Sequence, residues 1–141
     1  MKIAVKKDNL LFPELSYEIV GAAYEVFNGI GYGHQEKFYQ RALAKVFAEK
    51  KIPYKEQVYT PLKFKDEVIG RQYLDFLVDG KVIVELKKDA RFSKAHIDQV
   101  ISYLRTSDIQ LAILINFAES GVVFKRIVNL PNYHKQQEMN S

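Results

Sequence analysis

The sequence predicts an α/β protein in which helices flank a mixed central sheet. Two observations support this prediction. Apolar residues recur at helical spacing in three segments, and they alternate or run continuously in five others. The order is helix, helix, three strands, helix, strand, strand. Because the third helix separates two apolar strands, we expect those strands to pair in parallel through a right-handed crossover, which makes the sheet mixed.

Two helices are predicted first. One runs from Pro13 to about Asn28, with its proline in the first turn, where a missing N–H is tolerated. A glycine-rich segment then ends it. The next helix runs from about His34 to Lys51, and Pro53 stops it.

The remaining elements are mostly strands. Ser93 is a favoured N-cap for the third helix, and the near-continuous apolar run before the last strand indicates a buried strand. In order, we predict a strand over 56–65 interrupted at Pro61, strands over 68–78 and 81–87, a helix from Ser93 to about Thr106, and strands over 110–117 and 122–128.

One domain is expected. Residues 1–12 are typical of a loose lead-in, 13–129 of the folded domain, and 130–141 of a polar tail. A chain of 141 residues can bury one core, and 48% hydrophobic content is typical of a globular protein.

Composition excludes several classes of chemistry. The chain has no cysteine, which removes disulfides, thiolate zinc sites, iron–sulfur clusters and cysteine nucleophiles, and which fits a reducing cytosol. The first residues lack the apolar core of a signal peptide, and no apolar run approaches membrane-spanning length, so we expect no membrane partner. A net charge of +4 and a pI near 9.1 are compatible with a polyanionic partner.

Three charged residues on the second and third strands carry the functional prediction. Asp75, Glu85 and Lys87 occupy odd positions. The even positions of both strands are all apolar, and we expect them to form one buried face because side chains alternate along a strand. These even positions are Leu74, Phe76, Val78, Val82, Val84 and Leu86.

The loop between these strands decides how the charges meet. Both even sets share a face only if the loop has an odd number of residues. A three-residue loop, Val78–Gly80 with Gly80 left-handed, satisfies this condition. Asp75 then lies opposite Ile83 and diagonal to Glu85, at about 7–8 Å, which lets two carboxylates share an ion.

An acid followed on the next strand by acid-x-lysine is the minimal set for metal-assisted cleavage of a phosphodiester. Asp75 and Glu85 offer carboxylate oxygens to Mg²⁺ or Mn²⁺, and the carbonyl of Leu86 could add a third oxygen. The ion would lower the pKa of a bound water, while Lys87 orients that water or stabilises developing charge. Charges on apolar, central strands need partners or metals, which weighs against ordinary surface charges.

The chain resembles the PD-(D/E)xK nuclease superfamily in these residues. Asp75 and Glu85–Lys87 fit its central motif. Gln99 and Tyr103 match the Gln-x-x-x-Tyr element of the RecB-like branch. The segment Gly33–Tyr39 matches the signature of the small bacterial proteins called GxxExxY.

This resemblance spans roughly residues 13–129 and implies a restriction-endonuclease-like fold, in a superfamily that contains both nucleases and members that bind without cutting. It implies that Glu36 completes or supports the metal site, and that Gln99 and Tyr103 border it near phosphate. Basic residues after the hairpin would grip backbone phosphates without reading bases. They are Lys88, Arg91 and Lys94.

Three functions are open at this point. The first is a magnesium-dependent DNA endo- or exonuclease in repair or defence. The second is a nucleic-acid-binding or assembly module that keeps the fold without turnover, and the third is a structural domain whose hairpin charges pair with one another. The small size favours a homodimer or a partner protein. His96 is expected beside the site or on the surface.

Overall fold

Eight helices and strands make up the part of the chain that the computed structural model describes, residues 11–87 and 91–129. Their order is the predicted one. The predicted lead-in, apart from residues 11 and 12, and the predicted tail lie outside the described residues. The elements are α1 (Pro13–Ile30), α2 (Glu36–Glu49), β1 (Tyr54–Phe64), β2 (Glu67–Val78), β3 (Val82–Lys87), α3 (Lys94–Thr106), β4 (Leu111–Ala118) and β5 (Gly121–Val128).

The five strands form one mixed sheet in chain order, β1-β2-β3-β4-β5. Neighbours are antiparallel except for β3 and β4, which are parallel. The predicted parallel pair across α3 is therefore confirmed. β3 lies at the centre of the sheet, and all but its last residue are buried.

The N-terminal helices differ slightly from their predicted bounds. α1 ends at Ile30, two residues late, because Gly31 with φ 74° is the first residue to leave the helix. α2 starts at Glu36, two residues late, because Gln35 is still extended. Within the described ranges, no helix is both long and apolar enough to cross a membrane.

β1 runs through Pro61 without the predicted interruption. Pro61 pairs with Arg71 of β2. β1 lies at the sheet edge, where a residue without an N–H is tolerated because one side of the strand has no ladder. The register shift occurs between Leu62 and Lys63 instead.

The sheet separates two apolar cores. The larger core lies under α1 and α2 and includes Phe76, Val84 and Leu86 from the hairpin. The smaller core lies under α3 and includes Leu74 and Ile83. Burial of one such side chain stabilises the fold by about 1.5–3 kcal/mol. Because both faces are covered, the central strands are apolar at odd and even positions alike.

The even hairpin positions are all buried, but they do not form the single face predicted. Leu74 packs under α3, whereas Phe76 packs under α1 and α2. The alternation breaks at Asp75, where the pairing of β1 with β2 passes directly from Phe76 to Leu74. Across from this break, Gln57 of β1 is left-handed with φ 54°.

The β2–β3 loop starts one residue later than predicted. Asp79 and Gly80 are both left-handed, with φ of 52° and 65°. The carbonyl of Val78 accepts a hydrogen bond from the N–H of Lys81 at 3.0 Å. Strand pairing therefore starts with Val78 opposite Val82. The loop has three residues, as predicted, but they are residues 79–81 rather than 78–80. The pairing of β2 with β3 is therefore shifted from the predicted one.

This register changes the predicted neighbours of Asp75. Ile83 pairs with Leu77, so the predicted position of Asp75 opposite Ile83 is wrong. The same register, continued along the two strands, brings Asp75 level with Glu85. The two carboxylates are therefore direct neighbours across the hairpin rather than diagonal ones.

Candidate active site

Two carboxylates meet at the point where the regular backbone pairing of β2 with β3 ends. One step beyond the pair of Phe76 and Val84, side chains take over the hydrogen bonding. The backbone N–H of Asp75 donates to Oε1 of Glu85 at 2.5 Å, and the backbone N–H of Leu86 donates to Oδ2 of Asp75 at 2.8 Å. Each carboxylate is thus held by the backbone of the opposite strand, which fixes its position.

The surroundings of these carboxylates are largely dry. Glu85 is 3% exposed. Burial above all, together with the charges of Glu85 and Glu36, raises the pKa of Asp75 to about 8, although the N–H of Leu86 acts to lower it. Two carboxylates this close do not both carry charge without a proton or a cation between them. Near neutral pH Asp75 therefore keeps a proton, and a bound cation would take the place of that proton.

Lys87 at the end of β3 and Glu36 at the start of α2 lie beside the pair. Nζ of Lys87 is 3.8 Å from Oε2 of Glu36, and both side chains are partly exposed. Lys87 ends β3, level with Asn116 of β4, a buried polar residue in an apolar strand. The structure thus gathers Glu36 and Lys87 around Asp75 and Glu85.

The segment from Gly33 to Tyr39 positions Glu36. Tyr39 is fully buried, and its ring stacks on Phe117 of β4 with centroids 4.1 Å apart. Its hydroxyl donates to the carbonyl of Gly31 at 2.5 Å. Glu36 precedes Tyr39 by one helical turn, so both lie on one side of α2. Tyr39 therefore anchors the start of α2, and Glu36 with it, against the sheet.

A histidine from α3 lies against Glu85. Nε2 of His96 is buried and is 2.6 Å from Oε2 of Glu85. Ser93 caps α3 as predicted, since its hydroxyl accepts the N–H of His96 at 3.1 Å. The Phe92 ring packs beside the imidazole. No spacing in the sequence signals this contact, because it joins two elements that only the folded sheet brings together.

The two other residues predicted from α3 lie farther along the helix. Gln99 lines a groove of about 760 Å³ between α3 and the strands β1 and β2. Tyr103 packs against the smaller core, and burial raises its pKa. Gln99 is therefore placed to meet a ligand in the groove, whereas Tyr103 supports the helix. Their contact with phosphate stays a prediction.

The predicted basic rim is only partly described. Arg91 and Lys94 are exposed at the start of α3. Nζ of Lys94 is 3.4 Å from Oδ2 of Asp98, one turn along the helix. Lys88 lies outside the described residues.

The donor set fits a hydrated divalent ion better than a closed protein cage. In residues 11–87 and 91–129, no three His, Asp or Glu side chains converge to hold an ion by themselves. Magnesium usually keeps several waters and binds through one or two carboxylates together with substrate phosphate. Asp75 and Glu85 meet that requirement, because they offer hard oxygen donors and negative charge that a cation would neutralise.

Fold and site together define a class of protein: an α/β domain that carries paired acids and a lysine on the central strands of a mixed sheet. A family model of the PD-(D/E)XK nuclease superfamily matches residues 13–129. The chain belongs to this superfamily, and its sheet and helices are those of the restriction-endonuclease-like fold.

Two solved structures are similar to the chain. The crystal structure of SSO0001 has 13% identity and a TM-score of 0.49, covering 70% of this chain and 52% of that one. The alkaline exonuclease (LHK-Exo) from Laribacter hongkongensis has 11% identity and a TM-score of 0.40, covering 87% and 79%. This chain spans about half the length of the first. Among curated proteins there is no match.

Membership of this superfamily indicates the general function of the chain. It indicates a nuclease-like protein. Members of the superfamily typically use divalent metal ions.

Proposed function

We propose that this chain is a metal-dependent phosphodiesterase that cleaves the DNA backbone. The observation that carries the proposal is the mutual hold of Asp75 and Glu85, each fixed by a backbone N–H of the opposite strand. Lys87 follows Glu85 by two residues on β3 and completes the acid, acid and lysine set. The ion is Mg²⁺ or Mn²⁺, because both accept carboxylate oxygens.

The residues divide the chemistry among them. Asp75 and Glu85 would hold the ion, and the carbonyl of Leu86 and the carboxylate of Glu36 would be further oxygen donors. When bound, the ion polarises the scissile phosphate and lowers the pKa of a water. Lys87 orients that water and stabilises negative charge that develops on the phosphate. Its contact with Glu36 keeps the ammonium group beside the carboxylates.

Substrate contacts come from α3 and the segment before it. Gln99 contacts a backbone phosphate or a water from its place in the groove, and Tyr103 follows it on the same face of the helix. Arg91 and Lys94, with Lys88, bind phosphates without reading sequence. Such contacts make binding weaker at higher salt.

The finer classification is part of this proposal. We place the chain among the GxxExxY proteins, since Gly33 adopts a positive φ of 100° before α2, and Tyr39 anchors the start of that helix, which carries Glu36. Residues 13–129 are proposed to act as one nuclease-like domain in the cytoplasm, alone or in a homodimer or partner complex.

A catalytically silent module on the same fold is the second candidate. It is favoured by one observation: both oxygens of Glu85 already have partners, the N–H of Asp75 and the imidazole of His96. A cluster satisfied in this way would serve structure or nucleic-acid binding without taking up a cation.

Cleavage assays separate the two candidates. The purified chain is incubated with plasmid, linear single-stranded DNA and RNA, with Mg²⁺ or Mn²⁺, beside Glu85→Ala and a matched exposed control, Glu49→Ala. The proposal predicts metal-dependent cleavage of DNA that Glu85→Ala loses and Glu49→Ala keeps. Cleavage that persists in Glu85→Ala contradicts the site. Absence of both cleavage and metal uptake in the wild type favours the silent module.

A further inference from the structure

A buried nitrogen lies against the candidate site. Nε2 of His96 is 2.6 Å from Oε2 of Glu85, yet it has no hydrogen bond of good alignment within residues 11–87 and 91–129. The separation lies within hydrogen-bonding reach, and hydrogen bonds at enzyme sites often align fully only once the substrate is bound.

We propose that His96 is a positioning residue that sets the orientation of the Glu85 carboxylate for the cation. This inference rests on the proposed function, since it assumes that Asp75 and Glu85 hold an ion. Outer-shell partners of this kind hold ligating carboxylates in place, and their removal weakens metal binding by about 10–100-fold.

Glu85 is contacted from two directions. Oε1 accepts the N–H of Asp75 from β2, and Oε2 meets His96 from α3. A carboxylate has about four acceptor sites, so an oxygen with one partner still has a lone pair for an ion. Contact at both oxygens prevents the group from rotating. The remaining lone pairs are thereby kept in a fixed direction beside Asp75.

His96 reaches Glu85 because α3 is itself fixed to the sheet. Val100 and Leu104 pack fully buried in the smaller core with Ile83 of β3. Ser93 caps the helix through the N–H of His96. Docking of α3 therefore places the imidazole, and the third helix becomes part of the site rather than only a cover for the sheet.

The test is Mn²⁺ binding, measured by calorimetry on the full chain. The variants are His96→Ala, which removes the imidazole, and His96→Gln, which keeps an N–H donor of similar reach. Ser102→Ala, an exposed change on the same helix, is the matched control. Melting temperatures in EDTA report on folding separately. A purely structural histidine would lower the melting temperature without changing the Mn²⁺ affinity.

We expect His96→Ala to bind Mn²⁺ about 10–100-fold more weakly than the wild type. His96→Gln should recover most of that affinity, and Ser102→Ala should match the wild type. An affinity for His96→Ala within about twofold of the wild type overturns the inference, as does a His96→Gln variant as weak as His96→Ala. A wild type that takes up no Mn²⁺ overturns the proposed function and this inference together, whereas uptake unaffected by His96→Ala overturns the inference alone.

Discussion

The two ends of the β2–β3 hairpin differ in the contacts that join the strands. At the turn end, apolar residues pair in regular register, as Val78 does with Val82. Three residues farther along, Asp75 and Glu85 replace strand pairing with bonds from backbone N–H groups to carboxylates. The turn end stabilises the fold. The acidic end is stable in the folded chain only because the rest of the hairpin is packed on both faces.

This contrast separates two kinds of contribution within one hairpin. Burial of apolar groups lowers the free energy of the fold, whereas burial of two carboxylates raises it unless a proton or cation compensates. Substitutions at the two ends should therefore affect different measurements. Stability should respond at the turn end, and cation binding and activity at the acidic end.

The largest effect should come from the apolar core that packs against the hairpin. Phe76 is fully buried and meets Phe47 edge-on, with ring centroids 5.4 Å apart. Phe76→Ala should lower the free energy of unfolding by about 3–5 kcal/mol, because it leaves a cavity under α1 and α2. Guanidinium denaturation measures this. A loss below about 1 kcal/mol would mean that Phe76 is not packed as described.

The next largest effect should come from Glu85→Gln, which should lower activity without lowering stability. The amide keeps the shape and removes the charge. DNA cleavage should fall at least about 100-fold, equivalent to about 2.7 kcal/mol of activation free energy. The metal-free stability should stay the same or rise, since a buried charge is removed. A loss of stability as large as the loss of activity would contradict the assignment of stability to one end of the hairpin and activity to the other.

Metal-free stability should depend on pH through Asp75. Its pKa is about 8 in the folded chain, above the ordinary value of 3.8. Between these values the folded state keeps a proton that the unfolded chain has released. The free energy of unfolding should therefore fall as pH rises from about 4 to about 8. Urea denaturation in EDTA over this range measures the slope.

Asp75→Asn is the control for this pH dependence. The amide does not titrate, so the contribution of Asp75 to the slope should disappear. Equal slopes in wild type and variant would show that the Asp75 carboxyl is charged in the folded chain, contrary to its dry surroundings.

The smallest effect should come from the turn. Gly80 has φ 65°, and a Cβ there would meet no atom within 4 Å, so Gly80→Ala adds only backbone strain. The loss should be about 1–2 kcal/mol. Mn²⁺ affinity should not change, because the turn is remote from the carboxylates. A change in affinity would mean that the loop sets the register at Asp75 and that the two ends are coupled.

Most of the fold could be predicted from local signals. Pro13 and Ser93 mark helix starts, and the continuous apolar strands indicate a sheet covered on both faces. The register of the hairpin could not be predicted. The alternating pattern requires an odd loop but does not say where that loop begins, and Asp79 adopts a left-handed conformation that its residue type does not require.

The residue types of the site could be predicted from the sequence, but the contacts between those residues could not. Asp75, Glu85 and Lys87 stand out because charges are rare on central strands. The break in alternation at Asp75 lies across from Gln57 of β1, whose left-handed conformation no local pattern indicates. The contact of His96 with Glu85 depends on how α3 docks on the sheet. Such information lies in tertiary packing and not in spacing along the chain.

The central claim is that the buried pair of Asp75 and Glu85 binds a divalent cation in place of a proton. The most direct measurement is the free energy of unfolding at about pH 8, with and without Mn²⁺, for the wild type and for the double variant Asp75→Asn, Glu85→Gln. At about 100 times the dissociation constant, the wild type should gain about 2.7 kcal/mol and the double variant nothing. No gain in the wild type, or an equal gain in the variant, would contradict the claim.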